Sequence, residues 1–313
     1  MKQPDRKDLS SLFALSALGL VWLWFNILGA PPVIVEYGAI DDNHNLLTIV
    51  ASLAWQSVFV VAMIVLERFG AILDSKQARA IVPITVLALA SIRTVIELAG
   101  HNQMGTLFAL IASQLMLALV LHQWIARNRT RDRRIMLRDS ALSFVIGGVL
   151  YLPLLFGVPV GTILLIVLPF LFSGLLFVSE RSRDYGPTPE GKLPSPAKSS
   201  GILSWALVAF VVLAGFIIRP IALLGTITSP SSIALGMLYA GIVLVFLSLT
   251  ATRIAFENSF GLISIAVTLV ALLSLAFPEP NGIISMLATA CWWLCFASLL
   301  VTRRPYLLIA LYV

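Results

Sequence analysis

The chain contains 313 residues, of which 59% are hydrophobic and only 12% are charged, and its formal net charge is +6. A soluble globule of this length cannot bury so large an apolar fraction, so the composition excludes a soluble protein and predicts an integral membrane protein. The positive charge does not predict nucleic-acid binding, because the sequence offers no soluble basic domain that would follow a phosphate backbone.

Ten apolar runs follow one another along the chain, and each approaches the ~20 residues that a helix needs to cross a bilayer. The runs lack the alternation of apolar and polar residues that marks barrel strands, so we predict an all-α bundle of transmembrane helices. The predicted spans are 10–30, 46–66, 80–100, 106–126, 141–158, 161–178, 202–225, 232–251, 260–277 and 283–301. A last segment, YLLIALYV, is expected to open an eleventh span that the sequence cuts short.

Basic side chains lie almost entirely in alternate loops between the predicted spans. The loops on the other side carry acidic residues instead, namely Glu36, Asp41, Asp42 and Glu279. Because Lys and Arg near span ends resist translocation, we predict a multi-pass protein of a bacterial inner (plasma) membrane with a cytoplasmic amino terminus. The most basic loop, 127–138, is expected to contact anionic lipid headgroups at the cytoplasmic face of the bilayer.

A polar segment, SERSRDYGPTPEGKLPSPAKSS, interrupts the apolar pattern after the sixth span. Its Ser, Pro, Gly and Lys content is typical of a flexible connector between two bundles. We therefore predict a six-helix transmembrane half at 1–178, a cytoplasmic linker at 179–200 and an incomplete second transmembrane half at 201–313.

The loop between the second and third spans reads ERFGAILDSKQARA, with Gly70, Asp74 and Arg79 in that order. Together with the division after six spans, this loop resembles the major facilitator superfamily, whose two six-helix halves rock around a central cavity. Ser75 and Gln77 depart from the family pattern of this loop. The resemblance implies that the three matching residues contribute to conformational gating at the cytoplasmic side.

Two ionisable residues, Arg93 and Glu97, lie at membrane depth in the third predicted span, one helical turn apart. Charge inside a bilayer is costly, so such residues indicate either mutual pairing or a functional site. Both interpretations stay open at this stage, namely a structural ion pair near the outer surface or a site for a ligand or a proton.

Four further residues are candidates for contact with a small-molecule ligand. The resemblance implies that Arg219 in the seventh span lines the central cavity, and that Asn26 and Gln114 face its outer half. The residues alone also allow Arg219 to extend to the outer interface and both amides to form hydrogen bonds between helices. Trp292, beside Trp293, would form an aromatic wall for an apolar or cationic ligand, or would pack against other helices.

No catalytic pattern occurs in the sequence, and its polar loops are too short to form a catalytic domain, so we predict that the protein is not an enzyme and uses no cofactor. Three histidines, His44, His101 and His122, are scattered along the chain and predict no metal site. Cys291 and Cys295 share a helix face and are expected to pack in the core.

Two functions follow from these observations. The first is secondary transport, in which two helical halves alternate access to a central site for a small, amphiphilic or anionic molecule. The second is ligand sensing. The chain also resembles the facilitator-shaped membrane regions that precede a LuxR-type helix-turn-helix in certain bacterial regulators, and the DNA-binding part would then lie beyond Val313.

Overall fold

The computed structural model describes residues 6–28, 44–73, 80–99, 103–128, 133–155, 161–181, 232–250, 269–270, 282–300 and 309. Within these ranges the regular secondary structure is entirely helical and no strand occurs, which confirms the all-α prediction. The helices are α1 (Arg6–Leu28), α2 (His44–Leu73), α3 (Ile81–Leu98), α4 (Gln103–Asn128), α5 (Arg133–Leu155), α6 (Gly161–Arg181), α7 (Ser232–Thr250) and α8 (Gly282–Leu300).

Each of these helices overlaps one predicted span. The predicted spans 202–225 and 260–277 lie outside the described residues, apart from the helical residues 269 and 270. Several boundaries differ from the prediction, and α2 continues to Leu73 where the predicted span ends at 66. Helix α5 begins at Arg133 rather than at 141, and α6 continues through Arg181 past the predicted start of the linker. Arg and Glu are good helix formers, so the helices extend beyond their apolar segments.

Four segments of the described helices are long and apolar enough to cross a membrane, namely Leu9–Ile27, Phe108–Asn128, Ile135–Leu154 and Ile163–Arg181. Shorter apolar helical segments are Ile81–Ile96, Ala234–Leu249 and Met286–Ala297. The outer face of α3 exposes large apolar side chains at helical spacing, including Ile81, Ile84, Ile92 and Val95. Such a face is unfavourable in water and is covered by lipid tails in a bilayer, so the chain is a membrane protein.

Helix α1 lies at the centre of the described bundle and packs against α5 and α6. Near the start of α1, the Ser10 hydroxyl donates to the Ser179 carbonyl at the end of α6 over 2.8 Å. Near the end of α1, the Trp24 indole donates to the Leu165 carbonyl at the start of α6 over 3.2 Å. Helices α1 and α6 are therefore antiparallel, as expected for the first and sixth crossings of a membrane.

Glycines allow α1 and α5 to approach closely. A Cβ atom at Gly19 would lie 2.5 Å from Ile146 Cγ2, and one at Gly147 would lie 2.8 Å from Trp22 Cβ. The order of these contacts makes the two helices parallel. Small residues are the usual means by which transmembrane helices bring their backbones together, since lipid supplies no hydrophobic force between helices.

Helix α7 packs antiparallel to α5 through two more glycines. A Cβ atom at Gly148 of α5 would lie 2.7 Å from Leu238 Cβ, and one at Gly241 of α7 would lie 2.9 Å from Val145 Cγ2. These contacts are separated by about one helical turn. They join a helix that precedes the predicted linker to a helix that follows it.

Helices α7 and α8 run in the same direction. Gly236 of α7 lies beside Thr289 of α8. Farther along α8, Trp293 contacts Phe144 of α5, close to the level at which α5 meets Gly241 of α7. Parallel packing is the arrangement predicted for the eighth and tenth crossings.

The described bundle has two ends. The end at which Ser10 of α1, Arg127 of α4 and Ser179 of α6 meet is called the Arg127 end. The opposite end, at which the last turn of α1 carries Asn26, is called the Asn26 end.

Candidate functional site

Six aromatic side chains from three helices meet where α1 and α5 contact α8. Trp22 lies 5.2 Å from Trp293 and 5.2 Å from Phe144 between ring centroids, and Phe144 lies 5.1 Å from Trp293. Most of these pairs are edge-to-face, the geometry that the ring quadrupoles favour. The group, called the aromatic cluster below, consists of Trp22, Phe25, Phe144, Trp292, Trp293 and Phe296.

Hydrogen bonds hold the centre of the aromatic cluster in place. The Trp22 indole nitrogen donates to the Ser143 hydroxyl of α5 over 2.9 Å. That hydroxyl donates in turn to the Ser140 carbonyl over 2.6 Å. Trp22 is thus fixed by α5 on one side and by Trp293 on the other, so the position of α8 relative to α1 depends on this ring.

Asn26 lies one turn beyond Trp22 on α1 and is 2% exposed. Its amide nitrogen donates to the Met237 sulfur of α7 at 3.6 Å. Within the described part of the chain, no donor reaches its Oδ1 atom, and no acceptor reaches the buried indole nitrogen of Trp293. Buried polar atoms are nearly always paired, so these two atoms are candidates for contact with a group outside the described residues.

The structure describes three of the four predicted ligand residues. Asn26 of α1 contacts α7 through Met237, and Trp292 of α8 contacts the rings of Trp293 and Phe296 on its own helix. Gln114 is buried in α4, which packs mainly against α2 and α3, so the fold does not bring it to the aromatic cluster. Arg219 lies outside the described residues.

Trp292 is the predicted ligand residue of the tryptophan pair, whereas Trp293 lies at the centre of the aromatic cluster. Trp293 is 1% exposed and contacts rings of α1 and α5, while Trp292 stacks on Phe296 of its own helix. Neighbouring helical residues point about 100° apart, so only the packing of α8 decides which ring faces α1. The glycines on the facing helices are the sequence signal that could have identified which tryptophan faces α1.

Arg93 has a structural role that a proline explains. Pro169 of α6 has no amide hydrogen, so the Leu165 carbonyl one turn earlier lacks its helical hydrogen bond. The buried Arg93 guanidinium donates to this carbonyl over 3.0 Å, and Trp24 donates to the same oxygen over 3.2 Å. The guanidinium carbon also lies 5.2 Å from the centre of the Trp24 ring, a distance at which a cation and a π system attract.

We expect Arg93→Leu to lower the free energy of unfolding by about 1.5–3 kcal/mol, the usual contribution of a charged hydrogen bond. The loss should be smaller in a Pro169→Ala background, because the amide restored at position 169 would bond the Leu165 carbonyl. Equilibrium unfolding in mixed micelles measures this coupling, with Ser91→Ala on the exposed face of α3 as the control. Equal losses in both backgrounds would exclude the proposed link between Arg93 and Pro169.

The Arg93–Glu97 ion pair and the gating loop stay predictions. Glu97 belongs to α3, but its side chain lies outside the described residues. Gly70 lies inside α2, whose helix continues to Leu73, so this glycine is not part of the loop in which the sequence analysis placed it. Asp74 and Arg79 lie outside the described residues.

Arg127 corrects part of the lipid-headgroup prediction. The segment 127–138 is predicted to be a loop in contact with lipid, but Arg127 is buried and belongs to the last turn of α4. Its guanidinium donates to the hydroxyls of Ser10 and Ser179 over 2.5 Å each. Arg127 therefore binds protein groups, whereas headgroup contact by the rest of the segment 127–138 stays a prediction.

No protein-family model matches the chain, and no curated protein matches it. A functional assignment accordingly depends on the geometry of the site. Within the part of the chain that the structure describes, no three His, Cys, Asp or Glu side chains are grouped to hold a metal ion. Cys291 and Cys295 are buried thiols of α8, next to the aromatic cluster in sequence.

Proposed function

We propose that the protein is a facilitator-type membrane protein that binds a small molecule between two helical halves and moves it across the membrane by alternating access. The observation that supports this most directly is the buried Oδ1 atom of Asn26 beside the aromatic cluster, to which no described residue donates a hydrogen bond. An acceptor of this kind at the junction of two helix groups would bind a hydrogen-bond donor of a ligand.

The packing of the described helices supports two halves. Helices α1 to α6 precede the predicted linker, and α7 and α8 follow it. The antiparallel pair α5 and α7 and the parallel pair α7 and α8 have the directions that six crossings, a linker and a second bundle require. In this proposal the Arg127 end faces the cytoplasm, and the segments 1–178 and 201–313 are the two halves.

The chemistry of the site favours an amphiphilic ligand. Its described apolar groups are rings and the Met237 thioether, and its described polar groups are the amide of Asn26 and the indole of Trp293. Rings attract apolar groups and organic cations, whereas an anion would need a positive side chain. Arg219, predicted to line the same cavity, is the candidate for that role.

Reconstitution into liposomes tests the proposal with two fluorescent amphiphiles, cationic rhodamine 6G and anionic carboxyfluorescein. Quenching of tryptophan fluorescence reports binding near the aromatic cluster, and release of trapped dye reports transport. We expect at least one dye to bind and to be released in a protein-dependent way. If the protein prefers the anionic dye and Arg219→Ala abolishes this preference, the result would support a role for Arg219. The proposal would be contradicted if neither dye bound to the protein and neither dye was released.

A second candidate, a ligand sensor that does not transport, is favoured by the two glycine contacts between α5 and α7. Gly148 and Gly241 bring these backbones together at levels about one turn apart, and such contacts resist the rocking of one half against the other. Binding of a dye without any release would favour the sensor. A helix-turn-helix in the coding sequence beyond residue 313 would support the same conclusion.

We expect Asn26→Leu to weaken dye binding without destabilising the protein. The Asn26 Oδ1 atom is a buried acceptor to which no described residue donates. Its removal relieves a penalty of about 1–3 kcal/mol, so the melting temperature should stay constant or rise. Tryptophan quenching and thermal unfolding are measured on the same sample. Ser113→Ala serves as the control, because the Ser113 hydroxyl is buried but bonds the Ala109 carbonyl of its own helix. A lower melting temperature with unchanged binding would show that Asn26 is structural.

A further inference from the structure

At the Arg127 end, three helices meet in a buried polar cluster that is separate from the aromatic cluster. Arg127 of α4 donates to Ser10 of α1 and Ser179 of α6, and its Nη1 atom lies 3.7 Å from Glu180 Oε1. Ser10 and Ser179 also donate their hydroxyls to each other's carbonyls, over 2.8 and 2.9 Å. These contacts tie the ends of α1, α4 and α6 together.

Gln123, one turn before Arg127 on the same face of α4, adds an amide to this cluster. The residue is 8% exposed. Neither its Oε1 nor its Nε2 atom has a hydrogen-bond partner among the residues that the structure describes. A buried amide that loses both hydrogen bonds to water is strongly unfavourable, so another group must satisfy it.

A small cavity lies beside this amide. Its polar wall consists of Gln123, Arg127, Ser179 and Glu180, and its apolar wall includes Trp124 and Leu176. The space open to the centre of a water-sized sphere is about 10 Å³, close to the minimum that one water molecule needs. The cavity is therefore polar on one side and large enough for a single small molecule.

We infer that one ordered water molecule occupies this cavity and binds the amide of Gln123. Water both donates and accepts, so it satisfies the carbonyl and the amino group of Gln123, directly or through the other polar walls. A cation would lie against the Arg127 guanidinium and an anion against the Glu180 carboxylate, so each charge is repelled by one wall. A phosphate group is also too large for the available space.

The water completes the polar contact of α4 with its neighbours. Without the water, the cluster ends at Arg127. A motion of α4 that exposed the Gln123 amide to solvent would then be favoured, because the amide would gain hydrogen bonds. With the water, the hydrogen-bonded region extends one turn deeper into the bundle. The three helix ends then form one hydrated unit at the face that is expected to be cytoplasmic.

Hydroxyl-radical footprinting with X-rays, read by mass spectrometry, tests the inference on the full chain in nanodiscs. Ordered water next to a side chain produces oxidation even where bulk solvent does not reach. We expect oxidation of Trp124 in the cavity wall and none of Trp22 in the aromatic cluster, which is buried to a similar degree. Equal oxidation of the two rings would overturn the inference.

A variant separates bound water from bulk solvent. Gln123→Met keeps the length of the side chain but removes its polar atoms, so oxidation of Trp124 should fall to the level of Trp22. Oxidation that persists at the wild-type level would show access from bulk solvent and would overturn the inference.

Rapid mixing of the unmodified protein with isotopically labelled water gives a second measurement, in which the label should enter Trp124 more slowly than exposed side chains. Simultaneous entry would also contradict the ordered water.

Discussion

Replacement of Arg127 by leucine is expected to lower the free energy of unfolding by about 3–5 kcal/mol, because it removes the cation that lies 3.7 Å from the buried Glu180 carboxylate. The side chains of Arg127 and Glu180 are only 5% and 6% exposed, so bulk solvent compensates little for the loss. Ser10 and Ser179 lose the donor that binds both hydroxyls. The change also weakens the attachment of α4 to α1 and α6.

Arg138→Leu is the matched control for this prediction. Arg138 bonds the Asp139 carboxylate over 2.9 Å, but its side chain is 45% exposed. Solvent screens such a pair, so its loss should cost no more than about 1 kcal/mol. Equilibrium unfolding in mixed micelles measures both variants. Similar small losses for Arg127→Leu and Arg138→Leu would show that the buried cluster does not stabilise the bundle.

A double variant identifies the physical cause. Burying an ion pair is itself costly, so apolar replacement of both partners often preserves stability. We therefore expect Arg127→Leu with Glu180→Leu to be more stable than Arg127→Leu alone. If the double variant is the less stable of the two, the defect arises from lost packing or from the serine contacts rather than from an unpaired carboxylate.

Gly241→Val is expected to separate α5 from α7 and to lower the free energy of unfolding by at least about 1–3 kcal/mol, the usual cost of overpacking. A Cβ atom at this position would lie 2.9 Å from the Ala141 carbonyl oxygen and 3.0 Å from the Val145 amide nitrogen. Both are backbone atoms, so a rotamer change cannot relieve the contact. Only a shift of the whole helix creates the required space.

Gly174→Ala provides the control, because no heavy atom lies within 4 Å of a Cβ built at this exposed position of α6. It should leave the melting temperature unchanged or raise it slightly, since alanine is the better helix former. Dye quenching is expected to fall in Gly241→Val, because α7 carries Met237, the partner of Asn26. Full stability together with full binding would show that the halves tolerate a wider spacing between α5 and α7.

These glycine contacts also bear on the choice between transport and sensing. Alternating access requires the two halves to separate at one end of the bundle while they stay together at the other. Gly148 and Gly241 both bring the α5 and α7 backbones together, so alternating access requires at least one of these contacts to open. A dye that binds and is released would support this motion, and binding alone would indicate that both contacts stay closed.

The all-α fold and the approximate positions of the described helices were predictable from the sequence. A bilayer offers the backbone no hydrogen-bond partners, so an apolar run of sufficient length must form a helix whatever its neighbours are. Pro169 also indicates in advance that the Leu165 carbonyl needs another donor. These conclusions depend only on residues that are close together in the chain.

The partners across the bundle were decided by the tertiary structure. The sequence does not indicate that Arg93, 72 residues before Leu165, supplies the missing donor, or that Arg127 is buried while Arg138 remains largely exposed. It also does not indicate that Trp293 rather than Trp292 meets Trp22. Apolar residues surround each helix in a membrane protein, so hydrophobic periodicity cannot show which face meets protein and which meets lipid. Glycine contacts and buried hydrogen bonds determine those faces, and they exist only once the helices have packed.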